Sequence, residues 1–72
     1  MEVSREMREV LREALGRRRD DETFERTLGK VVRKRKLPFE FYRNTMDAVR
    51  TAMKKGETPE TAAETLCSRE SD

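Results

Sequence analysis

With 72 residues, 33% of them hydrophobic and 44% charged, the chain has room for one domain with a thin core. It holds 17 cations and 15 anions, no histidine, and a single cysteine, Cys67. An internal disulfide is therefore excluded, and the commonest general base and metal ligand is missing.

A composition so poor in apolar residues borders on disorder. The net charge of only +2, with charges alternating at helical spacing, favours a folded helical protein, completed by a partner or a second copy. Residues 1–15 are charged throughout, unlike a signal peptide, and no apolar run approaches membrane-spanning length. The expectation is a cytoplasmic protein with no membrane contact.

In residues 3–15, Val3, Met7, Val10, Leu11, Ala14 and Leu15 recur at spacings of three and four, which predicts one apolar helical face. Gly16 is the expected stop, and Arg17, Arg18 and Arg19 follow where the helix dipole favours cations. A second helix is expected from Asp20 or Asp21 as cap, with Phe24, Leu28, Val31 and Val32 as its stripe. Gly29 lies mid-helix. Arg26, Lys30 and Arg33 fall opposite the stripe, Lys34 flanks them, and Arg35 turns back to the apolar side, where the helix should fray.

Pro38 suits the first turn of a third helix and pushes Leu37 out of helical geometry. Phe39, Tyr42, Met46, Val49 and Met53 share its main face, with Phe41, Ala48 and Ala52 on an adjacent stripe; Gly56 should end it. Thr58 caps a short fourth helix with Pro59 first and Ala62, Ala63, Leu66 and Cys67 on one face. The expected fold is all-α, a small helical bundle of three principal helices plus a short C-terminal helix, formed by residues 1–68, with 69–72 a mobile polar tail.

Little catalytic chemistry is on offer, so the expectation is no enzyme and no cofactor. Asp20, Asp21 and Glu22 could surround a divalent metal ion, the remote enzymatic alternative, but the same acids are the ordinary start of a helix. Cys67 has Arg69 nearby to favour a thiolate and Glu64 and Glu70 to oppose it, and reads as structural. The stretch TAAETLCSRES, Thr61 to Ser71, resembles the opening of a helix-turn-helix motif; no recognition helix follows it, and it assigns no family.

Charge is the stronger signal. From Arg26 to Lys55 there are ten cations against Glu40 and Asp47, while residues 57–72 hold one cation and five anions. A basic middle of this kind attracts polyanions by counterion release. Its centre would be Arg26, Lys30, Arg33, Lys34, Arg35 and Lys36, contacting nucleic acid without reading sequence, since Asn44 is the only amide side chain.

The bland reading is a solvated helix end that also suits the dipole. Phe39 and Tyr42 are assigned to the core rather than to base stacking. Phe41, Ala48 and Ala52 form a second stripe that covers another helix or serves as the candidate partner surface. The leading expectation is a non-catalytic regulatory protein–protein interaction module that self-associates as a homodimer or binds another protein. Direct nucleic-acid binding through the basic second helix is the rival.

Overall fold

Ser4, Thr23 and Thr58 start three helices by one device, a hydroxyl that accepts an otherwise orphaned backbone N–H three residues on. Their acceptor distances are 3.1 Å from Met7, 3.2 Å from Arg26 and 3.2 Å from Thr61. The computed structural model describes residues 3–19 and 21–68. It contains α1 (Arg5–Arg17), α2 (Phe24–Lys34), α3 (Phe39–Ala52) and α4 (Pro59–Ser68). The all-α bundle read from the sequence is the observed architecture. No helix among the described residues is long and apolar enough to cross a membrane.

The boundaries differ from the sequence reading where a competing cap wins. α1 runs through Gly16 and stops at Arg17, because Arg18 turns extended (φ −63°, ψ 137°). α2 is capped by Thr23, not by Asp21; Asp20 and the tail 69–72 lie outside the described residues. Glu22, just before that cap, accepts a 3.0 Å hydrogen bond from Thr27 Oγ1, a polar version of the staple that usually joins these two positions. α3 ends at Ala52, well before Gly56. Gly56 instead supplies a left-handed residue (φ 86°) to the turn in which Glu57 N–H donates to the Lys54 carbonyl at 2.9 Å.

The joint between α2 and α3 is a Schellman turn. Leu37 N–H donates to the Val32 carbonyl and Lys36 N–H to the Arg33 carbonyl, both at 3.0 Å, and Leu37 packs against the core. The left-handed position (φ 59°), usually glycine, is Lys36. An L-residue there costs about 1–2 kcal/mol of local strain. Lys36→Gly is therefore expected to raise stability by up to about 1 kcal/mol after glycine's greater unfolded-state entropy is deducted. Thermal melts followed by circular dichroism would show the gain as a higher Tm, and an unchanged or lower Tm would refute the strain.

Each helix packs chiefly against two others, α1 on α2 and α4, and α3 on α2 and α4. The short α4 thus closes the ring, and Ala62, Ala63, Leu66 and Cys67 join Val10, Leu11, Phe24, Leu28, Val31 and Val49 in one buried cluster. The second stripe of α3, expected to cover another helix or a partner's surface, contributes to this cluster. Ala48 is 4% exposed, and Phe41 and Ala52 are partly buried against the same cluster. A helix with two neighbours needs a wide apolar sector, and the second stripe serves that need inside the chain. Thr45 completes it, fully buried, with its hydroxyl donating to the Phe41 carbonyl at 2.7 Å.

Phe39 is a correction to the sequence reading. Expected in the core, it is 70% exposed, the only large hydrophobic residue so placed among those described. It is the first residue of α3, after Pro38, and helical side chains lean toward the N-terminus. Its ring therefore reaches past the end of the helix instead of across to a neighbour, while Tyr42, one turn further in, is half-buried.

Candidate polyanion interface

The six cations singled out in the sequence do not form one surface. Two of them turn toward α1. Arg35 donates to Glu13 Oε1 from Nε at 3.0 Å and from Nη2 at 2.7 Å, and Lys34 Nζ lies 3.3 Å from Glu13 Oε2. Arg17, one turn along α1, reaches the same carboxylate at 3.5 Å, and Arg35 also approaches Glu9 at 3.8 Å. Arg35 falls on the inner side of the α2 stripe, as the sequence phase implies, and α1 supplies the acid that holds it there.

A third cation, Lys30, pairs with Glu22, which also accepts from Thr27. Arg26, Arg33 and Lys36 form no salt bridge with any described residue. Of the α4 acids, Glu60 is engaged by Arg18 at 3.1 Å, and the same guanidinium donates to the Glu22 carbonyl at 3.3 Å.

The two clustered carboxylates carry a pH signature. Glu13 is held below its ordinary value of 4.5 chiefly by the Arg35 hydrogen bonds, assisted by Lys34, against partial desolvation. Glu22 is lowered chiefly by Lys30 and then by Thr27. A carboxyl depressed in the folded state contributes stability that is fully present above the unfolded value and is lost as pH falls through the folded one. The Tm should therefore hold steady from neutral pH to about pH 5 and decline below about pH 4.5. In Glu13→Gln the acid decline should be shallower. An identical profile in the variant would show that the Arg35–Glu13 contact contributes nothing.

Two shallow grooves flank the exposed ridge of α2 and share Arg26 and Lys30 as their common wall. One, of about 630 Å³, is polar; Arg17 and Arg19 enter it from the α1–α2 connection, opposite Asp21 and Glu22. The other, of about 590 Å³, runs to the start of α3, with Arg33, Phe39 and Tyr42 on its walls and Glu25 as its one carboxylate. Gly29 forms part of this second groove. The Tyr42 ring lies close over α2 at this point; a Cβ at Gly29 would sit 3.8 Å from Tyr42 Cε1, at ordinary contact distance.

Phe39 and Tyr42 stack, with ring centroids 5.7 Å apart and planes inclined by 30°. The groove therefore joins exposed cations to an aromatic platform. Sequence reasoning missed this because helical phase places Phe39 on the same face as Met46 and Val49, and phase says nothing about where a neighbouring helix ends. Arg17 and Arg19 are a basic run whose sequence position suits a helix end, and the fold also brings both to the polar groove.

The remaining candidates carry less. Cys67 is 8% exposed, with its Sγ 3.7 Å from the Arg8 carbonyl, and its own carbonyl accepts from Arg12 Nη2 at 3.5 Å. It belongs to the seam between α1 and α4. Among the described residues no three or more histidine, cysteine or acidic side chains gather as a metal site. Glu22, the best placed of the acidic trio, is already engaged by Lys30 and Thr27. No protein-family model, curated protein or solved structure matches this chain, so its functional reading rests on its own residues.

Proposed function

We propose that the chain is a non-catalytic binding protein that takes a polyanion, nucleic acid foremost, on the exposed ridge of α2. The observation that supports this most is that Arg26 and Arg33 line an open groove and neither forms a salt bridge with a described residue. Lys30 stands between them, tied to a single carboxylate. Cations held in this way exchange counterions for phosphates at little structural cost. Contacts of this type position a backbone and read no bases.

A regulatory protein–protein interaction module that self-associates or binds another protein is favoured by the thin core and the second stripe of α3; Phe41 and Ala48 pack inside the chain and α4 closes the bundle, which weakens that support. The radius of gyration, 11.2 Å, is that of a compact chain of this length. A protein partner remains the second reading only in the form of an acidic surface, which the same exposed cations would attract.

Titrating fluorescently labelled single- and double-stranded nucleic acids at two salt concentrations tests the proposal. Binding at low salt that weakens steeply as salt rises is the expected result. No binding to any polyanion at low salt, with the protein folded, would refute it.

A further inference from the structure

The buried Cys67 and the Glu13 cluster are accounted for by structural contacts, and the polar groove is part of the cationic ridge already described. The stack of Phe39 on Tyr42 is not so accounted for. An aromatic side chain left 70% in water contributes little by burial, and its ring contact is with Tyr42 of its own helix. It stands in the one groove that also holds Arg26 and Arg33.

The geometry points to a site for single-stranded nucleic acid in this groove, an inference that rests on the polyanion reading above. An unpaired base would lie on the outer face of Phe39, extending the stack that Tyr42 begins, while successive phosphates would meet Arg33, Lys30 and Arg26. The dimensions fit. Arg26 and Arg33 are seven residues apart on α2, about 10 Å along its axis. That span suits roughly three nucleotides at the ~3.4 Å rise of a stacked strand.

Duplex satisfies the cations but not the ring, because its bases are already stacked on one another. Single strands offer a π-face at every nucleotide, so the preference is for strandedness and not for sequence. Glu25 at the groove wall opposes phosphate at that one position, which limits the site to a short stretch of strand.

The test compares oligouridine and oligothymidine of about a dozen nucleotides with inorganic polyphosphate of similar charge. Each is titrated against the wild-type chain, Phe39→Ala and Phe39→Trp at low salt. Phe39→Ala should lower affinity for both oligonucleotides by roughly fivefold or more, the measured scale for losing one stacked base. It should leave polyphosphate affinity unchanged.

Phe39→Trp should retain oligonucleotide binding, and its emission should be quenched by the oligonucleotides and not by polyphosphate. The exposure of Phe39 means that both variants keep the fold, which circular dichroism checks.

If all the polyanions bind the wild type but Phe39→Ala binds each of them as the wild type does, or weakens them equally, the stacking site is refuted and the polyanion reading stands. If none binds the wild type, both fall together.

Discussion

Phe24→Ala should cost about 3–5 kcal/mol and leave a protein close to its unfolding threshold at room temperature. Phe24 opens α2 directly after its Thr23 cap, is 1% exposed, and is the largest of the fully buried side chains. The chain has no tryptophan and only three phenylalanines, of which Phe39 is exposed and Phe41 only partly covered. In a core built mainly from Val, Ala and Leu, Met46 is the one flexible buried side chain, and it cannot replace the whole volume of the ring.

A domain of this size has a total stability of roughly 4–11 kcal/mol, so the loss takes a large share of it. In thermal melts the expected drop is at least about 12 °C, at roughly 4–8 °C per kcal/mol for small domains. Phe24→Leu should lose much less. A drop of only a few degrees for Phe24→Ala would mean that the core is not centred on α2.

The double variant Arg26→Gln, Arg33→Gln has the largest expected effect on binding. At contact distance in water each lost cation–phosphate pair is worth about 1 kcal/mol. Two together should weaken affinity for any polyanion on the order of thirtyfold at low salt. The slope of log affinity against log salt should become shallower by about 1.4 for a single strand, at 0.7 per phosphate.

Neither arginine forms a salt bridge with a described carboxylate, and Arg26 acts on Glu22 only as the smallest of its stabilising influences, so the double variant should keep a Tm close to the wild-type value. The paired set behaves differently. Arg35→Gln releases Glu13 from its closest partner, and should lower the Tm with little change in binding. A result in which Arg35→Gln abolishes binding and the double variant does not would move the interface to the α1–α2 seam.

That division among the cations marks how far the sequence carried. The run Arg33 to Lys36 is contiguous in the chain and looked like one basic site. In the fold its four members go three ways. Arg33 enters the aromatic groove, Lys34 and Arg35 serve Glu13, and Lys36 takes the left-handed turn position. Successive helical residues are about 100° apart, so a contiguous charge run must spread around the helix. The sequence shows that spreading, but not which direction meets an acid.

Glu13 and Arg35 are 22 residues apart, and Arg18 reaches Glu60 from an opposite end of the chain. These pairings depend on helix packing, which no local pattern encodes. The same reason explains the aromatics. Phe39 and Phe41 are two residues apart, and helical phase does not show that the first lies in water while the second packs partly against the core.

By itself the sequence determined what depends on a turn or two of chain. Four helices, the Thr58 cap with Pro59 behind it, the apolar stripes of α1, α2 and α4, and a basic middle against an acidic end were all legible. Each rests on local periodicity, capping chemistry or charge. The tertiary structure decided which apolar residues had neighbours and which cations had acids. It turned the second stripe of α3 inward because α3 lies between α2 and α4. It left Phe39 in water because the first residue of α3 projects beyond the packed part of the bundle. Burial and ion pairing belong to the packing of distant segments, and they separate the cations that hold this bundle together from those that face outward.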